Sequence, residues 1–294
     1  MLDILKRGMG IEEDGPYDLS RRSMLAGGAG LFAFPAAAAA STARIESRQF
    51  DYDDPREKLK AEFRVYRDFT PEADVLQWYY WTMFVVADGR KVVPLVRMEG
   101  IEFSRHRKIG TDLYRIHGHN LSYPRDLYTG AFIDRLRNPI TGEDVRVPPT
   151  VLTEDPGMLY SAAGKRPLDR KDDIFTPTYS LFRIEDDLVK VEEIRVPPDN
   201  WFTPFIEASH NWVPRKLFDN PRILRLPAGT SGGFVFPFPK WLEMGANPGH
   251  MFGLWSGRKL DGVHQLPAEF YDRTAQQYPH LLKVDLEPFG RPIR

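Results

Sequence analysis

The run Val75-Leu76-Gln77-Trp78-Tyr79-Tyr80-Trp81-Thr82-Met83-Phe84-Val85-Val86-Ala87, followed by Asp88-Gly89 and then by Lys91 to Met98, is the stretch on which the fold turns. Aromatic and β-branched side chains fill its first part without a Pro or Gly break, which suits an extended strand. Asp88-Gly89 readily takes the positive φ angles of a type I′ turn, so 75–87 and 91–98 read as a β-hairpin. Period two puts Gln77, Tyr79, Trp81, Met83 and Val85 on one face and Trp78, Tyr80, Thr82, Phe84 and Val86 on the other. Both faces are largely apolar. Such a strand needs cover on two sides, from the chain's own helices at 55–66 and 267–278 or from a second copy in a homodimer.

Outward from the hairpin, the punctuation is that of a β protein. Aromatic residues make up 13% of the chain and there are 25 Pro, while apolar segments are short. That composition predicts an all-β, mainly antiparallel fold: a calycin- or lipocalin-like barrel with a few flanking helices. Strands are expected at 101–109, 111–119, 125–128, 131–137 and 144–147, separated by Gly100, Gly110, Thr129-Gly130 and Asn138-Pro139-Ile140-Thr141-Gly142. The segment 155–175 reads as a loop, because Pro156-Gly157, Gly164 and a charged run leave no periodic apolar face. Strands resume at 178–184 and 188–196 around Glu185-Asp186-Asp187. After a proline-broken aromatic stretch from Trp201 to Pro214 they return at 222–226, 232–236 and 250–255, with Ser231-Gly232-Gly233 read as a flexible turn. Asp54-Pro55 is an N-cap and first-turn proline ahead of Leu59, Phe63 and Tyr66, and Phe270, Tyr271, Thr274 and Tyr278 mark a closing helix.

Ser20-Arg21-Arg22-Ser23-Met24-Leu25, an Ala/Gly-rich segment and the small residues up to Ala43 read as a twin-arginine export signal. Residues 1–40 are therefore expected to be a signal peptide recognised by the twin-arginine export machinery and cut near Ala40 to Ala43. Ser23 to Ala40 is too rich in Gly and Ala, with Pro35 inside it, for the ~20 strongly apolar residues of a membrane span. The product is expected to be periplasmic or otherwise exported, with 41–294 as a single barrel-like domain. Lys and Arg (40) balance Asp and Glu (41), and no basic patch interleaved with aromatics occurs, so nucleic acid is not expected as a partner. The chain has no Cys. Disulfides, thiolate nucleophiles and Cys-ligated metals are therefore excluded.

Leu127-Tyr128-Thr129-Gly130, Arg137-Asn138-Pro139-Ile140-Thr141-Gly142-Glu143, Pro239-Lys240-Trp241-Leu242-Glu243-Met244-Gly245 and Pro248-Gly249-His250 occur in that order. Together with Leu266-Pro267-Ala268-Glu269 and Tyr278-Pro279, they resemble the motifs of a family of secreted bacterial and fungal proteins classed as a domain of unknown function. The resemblance spans roughly residues 60–285, with Ala131 and Leu136 departing from the family's usual Glu and Trp. It implies location and fold rather than a reaction. The motif residues also have structural readings: Asn138 to Gly142 is a tight turn, and Trp241, Leu242 and Met244 are core.

The most chemical constellation is Arg115-x-His117-x-His119, one face of its strand, with Arg97 and Glu99 sharing a face of the neighbouring one. Imidazoles at i and i+2 can hold a metal, and a His beside a carboxylate can act as a general acid–base. The cupin metal pattern fails at its third ligand, since Tyr123 or Pro124 stands where Glu is needed. No Gly-x-Ser-x-Gly, Gly-x-Gly-x-x-Gly or Walker loop occurs, so neither a serine nucleophile nor a nucleotide cofactor is expected. The leading expectation is an exported enzyme acting without cofactor or metal on a small apolar or aromatic substrate, of lyase, isomerase or cyclase type. His117 or His119 would be the acid–base, Glu99 its partner, and Arg97 or Arg115 the anion stabiliser, inside a cavity walled by Tyr79, Trp81, Trp241, His250 and Trp255. On this expectation the polar faces turn inward, and His117 and His119 line the cavity. A non-catalytic carrier using the same cavity and a His/Glu metalloenzyme are the alternatives.

Overall fold

The computed structural model describes residues 54–67, 74–153, 157–167, 179–195 and 206–284, all within one compact unit, Glu46–Arg294. Residues 1–40, read above as an export signal, and Trp201, Phe202 and Phe205 lie outside the described residues. No helix among the described residues is long and apolar enough to cross a membrane.

Helix α1 (Pro55–Tyr66) opens the described chain, with Asp54 accepting from the backbone N–H of Arg56 and Pro55 in its first turn. Then come β1 (Asp74–Ala87), β2 (Val93–Gly110), β3 (Leu113–Arg125), β4 (Arg135–Arg137), β5 (Asp144–Arg146), β6 (Thr150–Thr153), β7 (Met158–Ser161) and β8 (Gly164–Pro167). The remainder is β9 (Tyr179–Glu185), β10 (Leu188–Arg195), β11 (Ile206–Pro214), the short α2 (Arg215–Phe218), β12 (Gly229–Phe236), β13 (Gly249–Leu260) and α3 (Ala268–Gln277). Single 3₁₀ turns lie at Lys240–Leu242, Val263–Gln265 and Pro279–Leu282. The order β8-β7-β3-β2-β1-β13-β12-β11-β10-β9 makes one continuous sheet, with β6 also paired to β3, and every pairing in it is antiparallel. The fold is a mostly antiparallel, curled half-barrel with few helices.

The helix inside it shows which way the sheet curls. Leu59 and Phe63 of α1 pack with Tyr114 and Ile116 of β3 and Tyr160 of β7, while Ala61 and Val65 pack with Val189, Val191 and Val213 of β10 and β11. One helix reaches strands from both halves of the sheet because the sheet wraps around it. The face carrying Val75, Gln77, Tyr79, Trp81, Met83 and Val85 is the concave one, as the cross-strand pairs run from Tyr79 through Gly257, Thr230 and Asn211 to Val191. The opposite, outer face is covered over β1 to β3 and β13 by the C-terminal region. There Phe270, Leu281 and Val284 join Leu76, Ile101, Phe103, Leu121, Tyr123 and Leu260. The C-terminal region thus covers part of the outer face of β1, and on the concave face Gln77 Nε2 donates to the carbonyl of Tyr66 in α1.

Several local expectations are corrected. Gly100 does not end a strand: β2 runs through it, and a Cβ there would meet the Tyr79 ring at 2.7 Å, so the glycine makes room for an aromatic neighbour. Likewise the strand expected at 111–119 runs on to Arg125 as β3, paired to β2 from Leu113 to Arg125, and 126–128 is a turn rather than a strand. Ser231-Gly232-Gly233 lies inside β12, where Gly232 sits under the Trp255 ring. The loop expected at 155–175 holds the strands β7 and β8, and 222–226 is not a strand. At the hairpin tip only Gly89 has a positive φ (70°), and the N–H of Arg90 donates to the carbonyl of Ala87, so the turn is not type I′.

Candidate functional site

The concave face is filled at both ends and lined with rings between them. At one end α1 fills it. At the other, Met83, Val85, Val96, Met98 and Met251 pack beneath the β4–β5 hairpin, through Leu136 and Val145, and beneath the turn carrying Trp241, Leu242 and Met244. The two stretches that carry the family resemblance meet here. Asn138, fully buried, donates from Nδ2 to the carbonyl of Leu242 at 2.6 Å and accepts from the N–H groups of Ile140 and Thr141 at 2.8 and 3.2 Å. Their joint occurrence therefore has a packing explanation.

Between the ends runs a belt of Tyr79, Trp81, Phe234, Phe236 and Trp255, each partly accessible. These rings lie against glycines: a Cβ would meet Tyr79 at 2.7 Å from Gly100, Trp255 at 2.7 Å from Gly232, and Phe234 at 2.7 Å from Gly253. An aromatic ring across from a strand glycine covers bare backbone, and it lies along the sheet instead of projecting into the space above. Trp81 and Phe234 are 5.0 Å apart, and Phe234 and Phe236 5.1 Å, as ring centroids. Polar groups border the rings. Tyr79 donates to Asn120 Oδ1 at 3.3 Å, and its phenol pKa is raised, first by burial and then by the Glu102 carboxylate.

One wall of the belt carries an acid–base cluster that spans the opening of the curl. Lys165 of β8 donates to Glu193 of β10 and stands 3.5 Å from Glu62 of α1. Burial first, opposed by Lys165 and reinforced by Glu193, pushes the Glu62 carboxyl up to about 7. Glu193 belongs to the belt by register: its row continues through Ser209, Gly232 and Trp255 to Trp81. Reading along the sequence missed this cluster, because its members stand on three separate elements. A same-face trio, Gly249, Gly253 and Gly257, was the available signal for the belt itself.

The residues expected to be catalytic lie elsewhere. His117, His119 and Arg115 are on the outer face, and they are buried rather than solvated, at 2%, 4% and 3% exposure. The inward-facing polar set is thus corrected: Tyr114 and Ile116 point to the concave side, because α1 brings apolar Leu59 and Phe63 there. His119 is held by its Nε2–H donating to the carbonyl of Leu281 at 2.7 Å, which fixes a hydrogen on Nε2. Burial is the first cause of its lowered pKa.

Glu99 does not partner either His, since it lies opposite Tyr123, four residues or ~13 Å along β3 from His119. Its fully buried carboxylate accepts from Trp78 Nε1 at 3.0 Å, Tyr80 at 3.2 Å and Arg125 Nε at 2.5 Å. Arg125 continues to the carbonyl of Gly130, to Glu269 of α3 and onto the Phe132 ring, 3.6 Å away. This network ties α3 and the 126–132 turn to the sheet. Arg97 is exposed on the same outer face, 5.9 Å from the Tyr80 ring centroid, and Arg115 is not brought near it. Of the expected ligand-binding residues, Tyr79, Trp81 and Trp255 share the belt and Trp241 packs in the cluster beside it. His250 pairs with Val86 on the outer face and does not belong. No three His, Asp or Glu side chains among the described residues are placed to share a metal ion. No protein-family model, curated protein or solved structure matches the chain.

Proposed function

We propose that the half-barrel is a receptacle for a small, largely aromatic or apolar molecule held on the concave belt, in the manner of a carrier. The observation that carries this reading is the set of partly accessible rings, Tyr79, Trp81, Phe234 and Trp255, between two packed ends. A folded chain ordinarily buries such rings fully in a core, and a group of them left partly accessible on a concave surface marks ligand contact. Acid–base chemistry through His117 and His119 does not belong to this reading, because both rings sit on the far side of the sheet. With the export signal read at Arg21-Arg22, the molecule is one met outside the cytoplasm.

The test is fluorescence titration with N-phenylnaphthylamine, a neutral aromatic probe that brightens in apolar sites. Saturable binding with energy transfer from tryptophan is expected. Trp255→Ala should weaken binding about three- to tenfold, the loss of one ring contact. Gly253→Ala, whose new methyl would meet the Phe234 ring first, at 2.7 Å, should weaken it as well. His117→Gln should leave it unchanged. Absence of saturable binding, or indifference to both belt substitutions, would overturn the proposal.

A further inference from the structure

Two buried amide side chains beside the belt differ in how the fold uses them. Asn138 is saturated, with Nδ2 donating to Leu242 and Oδ1 accepting from two backbone N–H groups. Asn211 of β11 is not. It is 4% exposed, its Oδ1 accepts from Thr230 Oγ1 at 2.7 Å, and its Nδ2 bonds to no described residue. Ser209, two residues earlier on the same strand and 5% exposed, has a hydroxyl that likewise bonds to no described residue. A buried donor without an acceptor carries the full desolvation cost of the group, so two neighbouring ones call for a reason.

Both side chains stand on the concave face at the rings. Ser209 is paired with Gly232 and Gly232 with Trp255, whose Cε2, the carbon bonded to the indole nitrogen, would be 2.7 Å from a Cβ at Gly232. The indole edge and the Ser209 side chain therefore border the same stretch of β12, about one strand spacing, ~5 Å, apart. Asn211 lies two residues, ~7 Å, further along β11, in the row that runs through Thr230 and Gly257 to Tyr79. On its other side that row ends at Val191, which packs with Ala61 and Val65 of α1. The two donors thus sit where the filled end of the curl gives way to the partly accessible rings.

We propose that Ser209 and Asn211 form the polar subsite of the belt, donating to a carbonyl oxygen of a ligand whose rings lie on Trp255 and Tyr79, so that the class held is neutral aromatic carbonyl compounds. This rests on the receptacle reading above. The chemistry of the two side chains sets the class. An amide nitrogen can only donate and a serine hydroxyl can turn to do so, which makes the matching ligand group an acceptor. Side chains ~7 Å apart along a strand can bracket one oxygen, because each hydrogen bond spans ~3 Å. Both donors are uncharged, and a carboxylate moved from water to uncharged donors loses far more hydration than a ketone oxygen does.

The test displaces bound N-phenylnaphthylamine with two naphthalenes of one shape: acetylnaphthalene, and isopropenylnaphthalene, which has a methylene in place of the carbonyl oxygen. Ser209→Ala should weaken the ketone about three- to tenfold, the loss of one hydrogen bond, and leave the hydrocarbon level. Asn211→Leu combined with Thr230→Val removes the amide together with the hydroxyl bonded to it and should do the same. Ser209→Ala should also leave the melting temperature of the ligand-free protein level or raised, which loss of a hydroxyl used by the fold would not do. Failure of the ketone to displace the probe, an unchanged ketone affinity or equal losses for both naphthalenes in either variant, or a lowered melting temperature in Ser209→Ala would overturn the subsite while leaving the receptacle standing. If N-phenylnaphthylamine itself does not bind saturably, both fall. Should the double variant not fold, Ser209→Ala alone decides the matter.

Discussion

Replacing Glu99 by Gln tests whether that carboxylate holds the fold or serves the ligand. The substitution keeps the volume and one acceptor oxygen, so Trp78 and Tyr80 can still donate to it. It sets an amide nitrogen or an uncharged oxygen against Arg125 Nε, which is 2.5 Å from the carboxylate and almost equally buried. Glu269 cannot take over, because its side chain is 64% exposed and exposed pairs contribute less than ~1 kcal/mol. Breaking a buried pair on one side costs about 3–5 kcal/mol. For a domain of this size each kcal/mol moves Tm by about 2–4 °C, so melting should drop by roughly 6–20 °C. The assay is thermal unfolding followed by tryptophan fluorescence, with urea midpoints as a second measure. Arg125→Met and the Glu99→Gln/Arg125→Met double variant complete a cycle, in which the double should cost about 1–3 kcal/mol less than the sum of the singles. N-phenylnaphthylamine binding below the melting range should be unchanged, since Glu99 faces away from the belt. A shift under ~1 kcal/mol, additive behaviour in the cycle, or lost probe binding in a folded variant would refute the reasoning.

Asn138→Ala should cost about 1–3 kcal/mol in urea unfolding, because the buried carbonyl of Leu242 loses its 2.6 Å donor and the turn loses its cap; a neutral effect would deny the coupling of the two motifs. Stability should also depend on pH with two opposing slopes. His119 has a lowered pKa in the fold, so its contribution is complete above the unfolded value of 6.5 and is lost as pH falls below it; His119→Gln, which keeps a donor for Leu281, should remove that loss. Glu62 has a raised pKa, so its contribution is complete below 4.5 and is lost as pH rises through about 7; Glu62→Gln should remove that one. Urea midpoints from pH 5 to 8 for wild type and both variants check the signs, and an unchanged wild-type slope in either variant would contradict its assignment.

The hairpin at 75–98, both long helices and the antiparallel class were legible because each is a local pattern: an unbroken β-branched and aromatic run, an N-cap with Pro55, an apolar stripe at Phe270 and Thr274. The division of β1 into two faces was also legible, since period two needs no tertiary knowledge. What could not be read was which face is inside. Alternation sorts Arg115, His117 and His119 from Tyr114 and Ile116 but carries no sign, and the sign here comes from α1, whose Leu59 and Phe63 demand apolar partners on the concave side. The glycines misled for a related reason. Gly100 and Gly232 look like turn residues in a linear reading, yet their role is set by Tyr79 on one adjacent strand and Trp255 on another.

The same distinction separates the two polar groups of the protein. The outer one, Glu99 with Trp78, Tyr80 and Arg125, draws on three adjacent strands and is capped by Glu269, and nearly every polar atom in it meets a partner inside the fold. A buried network satisfied in that way holds elements together and has little left to offer a ligand. The inner one joins α1, β8 and β10 across the opening of the curl, where β8 and β9 end the strand order without pairing to each other. Burial and Glu193 raise the Glu62 pKa there while Lys165 lowers it, so its protonation responds to pH. Closing the curl is the work of this cluster. That is why Glu62→Gln should alter the pH slope of stability, whereas Glu99→Gln should lower stability and leave probe binding on the concave belt unchanged.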